Sequence, residues 1–337
     1  MKRSILVTGA AGFIGAEVSK RLLADGEIVI GVDNINDYYD PTLKKARLER
    51  IQHGNWTFQR LDIGHQASVQ EVFERYKPTH VVHLAAQAGV RYSLENPNTY
   101  IQSNLVGFGH ILEGCRHQNV RHLVYASSSS VYGGNTNLPF RESQAVNHPV
   151  SLYAATKKAN ELMAHTYSHL YGLAATGLRF FTVYGPWGRP DMAPMLFAKA
   201  ILSRKPIRVF NNGNMQRDFT YIDDIVEGVV RVMQKPAESD QKFDKNNPDP
   251  ATSWAKHRVF NIGNSNPIPL MKFISCLEES LGIEAIKHYE PMQPGDVIAT
   301  AADTAALREW VGFKPSTPIE EGVEAFACWY RSYYQLQ

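Results

Sequence analysis

Cysteine is scarce in this chain. Cys115, Cys276 and Cys328 are its only three in 337 residues, and their spacing matches neither a metal site nor a paired framework. They read as reduced core thiols of an intracellular protein. Charge of one sign is also lacking: 35 basic against 33 acidic residues leave a formal net charge of +2. That balance supplies no field for nucleic acid or an anionic membrane surface. No apolar run approaches the roughly 20 residues that span a bilayer. The run Ile5-Leu6-Val7 after Met1-Lys2-Arg3-Ser4 is too short for a signal-peptide core, and no small-residue cleavage pattern follows it. The twelve histidines show no ligand spacing, and Asp223-Asp224 reads as a helix start rather than a metal pair. The expectation is a cytoplasmic protein with no metal, no nucleic-acid partner and no membrane segment.

What is present is an ordinary globular composition, 44% hydrophobic and 20% charged, in enough chain for two modest domains. Ile5-Leu6-Val7-Thr8 is a buried-strand run that stops at Gly9. Gly9-Ala10-Ala11-Gly12-Phe13-Ile14-Gly15 follows and leads into an amphipathic helix carrying Val18, Leu22 and Leu23. Between a strand and a helix, glycines at this spacing serve a tight turn, close backbone approach to a pyrophosphate, and close helix-on-strand packing. A second strand, Ile28 to Val32, ends in Asp33. An acid about 20 residues past such a turn accepts hydrogen bonds from an adenosine ribose. It would repel a 2′-phosphate, and no arginine follows directly, so the pattern points to NAD rather than NADP.

The alternation continues. Trp56-Thr57-Phe58 and Leu61-Asp62-Ile63 surround a third strand, and Thr79 to Leu84 forms a fourth. The small-residue loop Ala85 to Gly89 comes next, then a long helix from Asn98 to His117 containing Asn104, and a fifth strand, Leu123 to Ala126, running into Ser127-Ser128-Ser129-Ser130. A helix bearing Tyr153 and Lys157 precedes a sixth strand, Ala174 to Phe181. Strands alternating with helices predict a doubly wound, Rossmann-like parallel sheet of the α/β class, with ligands beyond the carboxyl ends of its strands. From Gly185 the chain becomes turn-rich. Residues 185–337 read as a smaller C-terminal α/β lobe with strands at Arg208–Phe210 and Val259–Ile262, and helices at Asp223–Gln234 and Leu270–Leu281. The expected division is 1–184 for the cofactor and 185–337 for the substrate, with some elements returning to the first part. Glu238 to Lys256, with Pro248 and Pro250, reads as an exposed or mobile insertion.

Tyr153-Ala154-Ala155-Thr156-Lys157 places a phenol and an ammonium one helical turn apart. A free phenol, with a pKa near 10, is a poor base at neutral pH, and a nearby ammonium favours its phenolate. General-base chemistry then becomes feasible.

Gly9-x-x-Gly12-x-x-Gly15, Asp33, Asp62, the Ser128 region before Val131-Tyr132-Gly133, and Tyr153-x-x-x-Lys157 together resemble an extended short-chain dehydrogenase/reductase of the nucleotide-sugar 4-epimerase group. The segments Asp33 to Asp40, Gln87 to Ser93 and Gly185 to Met192 are similar to those of its members that act on UDP-glucuronate. The resemblance implies C4 epimerisation of UDP-glucuronate to UDP-galacturonate with retained NAD, through a transient 4-keto sugar. UDP-galactose or UDP-N-acetylhexosamine epimerisation, UDP-glucuronate decarboxylation and a silent NAD-binding module remain alternatives. Tyr153 would be the base, Ser128 its hydrogen-bonding partner and Lys157 the holder of the nicotinamide ribose. Phe13, Ile14, Asn34, Ile63, Leu84, Ala85, Ala86, Asn104, Ser127 and Phe181 would join the glycines, Asp33 and Asp62 around NAD. Where dehydratases and decarboxylases of the superfamily commonly carry an acid after the catalytic Ser or Thr, this chain has Ser129, which favours epimerisation. Ser129, Ser130 and Thr182 would hold the sugar carboxylate. Arg217 would meet the diphosphate, Arg91 and Arg189 the uronate or the diphosphate, and Asp296 the uridine ribose. Such proteins usually form homodimers, here through helices around Asn98–His117 and Ser151–Tyr171.

Overall fold

A computed structural model of the protein describes residues 2–293 and 297–335. Its strands are, in chain order, β1 Ser4–Thr8, β2 Ile28–Asp33, β3 Trp56–Arg60, β4 His80–His83, β5 His122–Ser128, β6 Ala175–Phe180, β7 Thr182–Tyr184, β8 Ile207–Phe210, β9 Gln216–Tyr221, β10 His257–Ile262, β11 Pro267–Pro269 and β12 Lys287–Glu290. Seven of them form one sheet in the order β10-β6-β5-β4-β1-β2-β3, and every neighbouring pair is parallel. All six residues of β6 are buried, as a strand covered by helices on both faces requires. The helices Phe13–Ala24 and Ile222–Gln234 cover one face, where Val18, Leu22, Ile225 and Val229 pack with Val7 and Val29. The helices Gln66–Tyr76, Gly107–His117 and Leu152–Tyr171 cover the other through Phe73, Phe108, Ile111 and Ala164. This is the Rossmann-like α/β architecture the alternation predicts. β1 lies between β2 and β4, so the chain reverses direction across the sheet there and opens a crevice at the carboxyl ends.

The second lobe pairs β7 and β9 in parallel with antiparallel β11 at their edge, and sets β8 beside β12. Met195, Phe197, Phe219, Phe273, Leu277 and Phe326 form its core. Residues beyond 185 also complete the first unit: β10 is an edge of the seven-stranded sheet, and the helix Ala305–Val311 packs against it.

Three local differences from the sequence reading have physical causes. The sixth strand ends at Phe180 rather than Phe181, and Thr182–Tyr184 turns into the second sheet, so β6 and β7 hinge between the two units. The helical stretch from Pro97 to His117 contains a π-helical turn, Ile101–Val106. Asn104 lies buried within it, and apolar periodicity carries no trace of such an insertion. The segment 238–256 is exposed over most of its length, but Ala251, Ser253 and Ala255 are buried. Ser253 Oγ lies 2.8 Å from His165 Nε2, and Trp254 Nε1 donates to His169 Nδ1 at 3.1 Å, which fastens the segment to the helix of Tyr153.

Candidate active site

The glycine turn is built so that no side chain fits. Gly9 adopts φ +71°, and a Cβ there would stand 2.8 Å from Ala85 N. A Cβ on Gly12 would lie 2.9 Å from Gly9 O, and on Gly15 only 2.1 Å from the same oxygen. Bare backbone at these positions lets the turn close on itself and on Leu84–Ala85, and the helix Phe13–Ala24 that follows leaves its first N–H groups without intrahelical partners, as an anion site requires. Asp33 sits at the end of β2 and accepts from Ala11 N at 3.1 Å and Ile35 N at 2.8 Å. Burial raises its carboxyl pKa, against the pull of the Ile35 N–H and the Lys44 charge. Asn34 Nδ2 donates to Asp62 Oδ2 at 2.8 Å, joining the ends of β2 and β3. These features fit an adenine dinucleotide: a side-chain-free cradle for pyrophosphate beside a carboxylate for ribose.

The reactive groups approach from β5 and the helix Leu152–Tyr171. That helix starts cleanly because Ser151 Oγ caps it by accepting from Ala154 N at 3.1 Å. Tyr153 and Lys157 therefore emerge one turn in, on the face toward the serines. Ser128 Oγ accepts from Ser130 N at 3.1 Å and fixes the turn after β5. Lys157 Nζ donates to Ala126 O at 2.8 Å and lies 6.0 Å from the Tyr153 ring centre. Burial lowers its pKa to about 8. For Tyr153 burial dominates and raises the pKa, while a hydrogen bond with Ser128 and the charge of Arg189 pull it down. The lowered phenol expected from Lys157 is thus corrected: the groups opposing burial are Ser128 and Arg189, because the ammonium is turned to a carbonyl.

One cavity of about 1060 Å³ gathers Gly9, Gly12, Phe13, Ile14, Gly15, Asp33, Asn34, Asp62, Ile63, Leu84, Ala85 and Ala86. The same cavity is lined by Ser127, Ser128, Ser129, Ser130, Tyr153, Lys157, Phe181, Thr182, Arg91, Arg189 and Arg217. Asn104 does not line it. Its buried amide accepts from Gln87 N at 2.8 Å and donates to Gln87 O and Thr156 Oγ1, both at 3.1 Å, which organises the loop after β4 from behind. Asp296 lies outside the described residues. On the sugar side Arg189 is held by Asp191, while Arg91 from the loop after β4 and Arg208 from β8 both stand over the Phe210 ring, each 4.9 Å from its centre.

Two buried assemblies carry no short-range sequence signal. Arg47, fully buried, donates to Ala11 O of the glycine turn, to Tyr39 Oη, and to Trp187 O and Gly188 O of the Gly185–Pro190 turn. Its guanidinium ties the glycine turn to the Gly185–Pro190 turn. Below the serines, Ser127 Oγ donates to Glu161, which is paired with the fully buried Arg179 at 2.8 and 3.0 Å. Arg179 also donates to Tyr132 Oη, and Tyr132 donates to Asn261 Oδ1 at 2.7 Å. Asn261 N in turn donates to Glu142 Oε1 at 2.8 Å. Burial opposes ionisation of Glu161, but Arg179 brings its pKa to about 2; Glu142, whose burial is less well offset, stands at about 7.

Such a cavity can hold a dinucleotide at one end and, at the other, draw a proton from a hydroxyl with a serine and a tyrosine acting on one oxygen. Among known proteins the chain is 55% identical over 331 residues to Protein CapI of Staphylococcus aureus, spanning 98% of this chain and 99% of that one. It is 47% identical over 336 residues to UDP-glucuronate 4-epimerase 3 of Arabidopsis thaliana, covering 98% of this chain and 77% of the relative. In three dimensions it resembles the crystal structure of UDP-glucuronic acid 4-epimerase from Bacillus cereus in complex with UDP-glucuronic acid and NAD. That likeness has a TM-score of 0.87 at 31% identity, over 98% of this chain and all of the other. Residues 5–263 match the model of a family described as NAD dependent epimerase/dehydratase, and with the glycine cradle and the Tyr153–Ser128 pair standing inside that span, the chain belongs to this family.

Proposed function

We propose that this protein is an NAD-dependent epimerase that interconverts UDP-glucuronate and UDP-galacturonate by inverting C4. The observation that carries the reading is the meeting of Tyr153 and Ser128 with Ser129, Ser130, Thr182 and Arg189 at one end of the cavity, beside the glycine cradle. The similarity to proteins named for the same reaction supports it.

NAD, when bound, supplies the reversible two-electron chemistry at C4. Gly9, Gly12 and Gly15 hold its pyrophosphate, with Phe13 and Ile14 at the helix start, and Asp33 and Asn34 hold its adenosine ribose. Asp62, Ile63, Leu84, Ala85, Ala86, Ser127 and Phe181 enclose the rest, and Asn104 acts through the loop it organises. Tyr153 takes the proton from the 4-hydroxyl and returns it to the same oxygen after the sugar has turned over. Ser128 hydrogen-bonds that oxygen in both poses. Lys157 orients the nicotinamide ribose. The 4-keto uronate is a β-keto acid, so the bond to its carboxylate must be kept out of line with the ketone. Ser129, Ser130, Thr182 and Arg189 do this by holding the carboxylate from several sides. Arg91 and Arg217 hold the diphosphate, where a guanidinium fork suits two oxygens, and Asp296 the uridine ribose.

In the same reading residues 1–184 serve the cofactor and 185–337 the sugar nucleotide. The chain acts as a cytoplasmic homodimer. Exposed Ile101, Leu162 and Leu170 on the helices flanking the sheet support a paired helical interface. Among the described residues no helix is long and apolar enough to cross a membrane.

Incubation with UDP-glucuronate, UDP-glucose and UDP-N-acetylglucosamine, with products resolved by chromatography, tests the assignment. UDP-galacturonate is the expected product; absence of turnover of UDP-glucuronate overturns the reading, and formation of UDP-xylose reassigns the site to decarboxylation.

A further inference from the structure

Asp191 stands two residues beyond Arg189 and takes its guanidinium from two directions, with Oδ1 3.1 Å from Nε and Oδ2 2.5 Å from Nη2. The same Oδ2 accepts from Tyr38 Oη at 3.0 Å, from a residue 153 positions earlier in the chain. Tyr38 is itself wedged: its hydroxyl occupies the space beside Gly89, 2.6 Å from where a Cβ would stand, and its ring packs on Tyr92 at 4.8 Å. The loops after β2 and β7 therefore meet at one carboxylate at the wall of the cavity, with the loop after β4 packed against Tyr38.

We propose that Asp191 is a positioning residue, anchored by Tyr38, that fixes the guanidinium of Arg189 beside Tyr153 and sets how much of its positive charge reaches the phenol. A guanidinium whose fork is already filled by a carboxylate is a weaker attractor than a free one, but it keeps its place. The charge arithmetic follows from the groups present. Tyr153 is faced by Ser128, Lys157, Tyr100 and Arg189; Arg189 by Asp191, Tyr38 and Tyr153; Tyr38 by Asp191, Arg189, Tyr92 and Tyr100. Among these Asp191 is the one carboxylate against the two cations Lys157 and Arg189, so its removal makes the neighbourhood more positive by one charge. Burial raises the Tyr38 pKa to about 12, so Tyr38 remains a donor to Asp191 throughout the working range.

The test uses the full-length, NAD-loaded protein as Asp191→Asn and Tyr38→Phe, each with and without Tyr153→Phe. Phenolate absorbance is titrated against pH, and subtracting the Tyr153→Phe partner isolates Tyr153. In Asp191→Asn the Tyr153 midpoint is expected to fall by roughly half a unit or more, because one opposing negative charge has gone. The acidic limb of kcat should move with it, because the phenolate is the active form. In Tyr38→Phe the charge balance is kept while the anchor is lost. There the midpoint stays and kcat falls several-fold. A midpoint unmoved in Asp191→Asn, or kcat unmoved in Tyr38→Phe, overturns the proposal, and the second variant decides the matter if the first does not fold. Only the kcat arm rests on the epimerase reading: a shifted midpoint in a protein that turns over no UDP-sugar would sink that reading and leave the clamp standing.

Discussion

Around Gly9, Gly12 and Gly15 the cavity is walled by backbone, whereas around Tyr153 and Arg189 it is walled by side chains, many of them ionisable. The first wall works by leaving side chains out; any added carbon meets Gly9 O or Ala85 N. The second works by holding side chains at fixed angles, and it rests on a buried chain of ionic and hydrogen-bonded groups, Ser127–Glu161–Arg179–Tyr132–Asn261–Glu142. A backbone wall recognises a constant part of a ligand and tolerates little change. A side-chain wall can be retuned one residue at a time, and it inherits the pH dependence of what supports it.

Gly15→Ala should break the first wall outright. Its methyl would overlap Gly9 O, so purified protein is expected to carry almost no NAD by absorbance, with Tyr153 and Ser128 untouched. Tyr153→Phe should break the second without disturbing the first: turnover falls by about a thousandfold, within the usual range for a lost general base, while retained NAD is unchanged. Glu142→Gln sharpens the contrast in pH dependence. The folded pKa of Glu142, about 7, exceeds the ordinary value of 4.5, so the folded state keeps a proton that the unfolded state has released. The stability this confers is present below about pH 4.5 and lost as pH rises through 7, by about 3 kcal/mol in all. Gln keeps the Oε1 acceptor for Asn261 N and cannot titrate. Urea midpoints at pH 5 and pH 8 should therefore converge in the variant and differ in the parent. Thr182→Val is the smallest step. Loss of one hydroxyl should cost about 1 kcal/mol in UDP-glucuronate affinity and raise the share of UDP-pentose among the products, read by chromatography; an unchanged product ratio would remove Thr182 from carboxylate control.

The strand ends were readable from sequence because each buried run stops at a small or acidic residue: Thr8 before Gly9, Val32 before Asp33, Ala126 before the serines. The parallel sheet follows from that alternation. The braces were not readable. Arg47 reaches Trp187 across 140 positions and Tyr38 reaches Asp191 across 153, and a charged residue on an amphipathic helix looks the same whether it is solvated or sealed inside. Arg179 hid within an otherwise apolar strand and Glu161 on the inner face of a helix; only their pairing makes each other's burial tolerable. Asn104 is expected beside the cofactor, but its amide is buried in bonds to Gln87 and Thr156, within a π-helical turn that residue spacing does not encode.

The late arrival of β10 has a bearing on how the protein can be made. β6 is fully buried, and one of its two edges is closed only by His257–Ile262. Until about 80 further residues have left the ribosome, that edge offers a row of unpaired amides, and the face under Ile222–Gln234 lies open. A product cut short near residue 184 would present both at once, the kind of surface on which chains pair edge to edge. Full-length synthesis, rather than assembly from two halves, is the route this topology imposes.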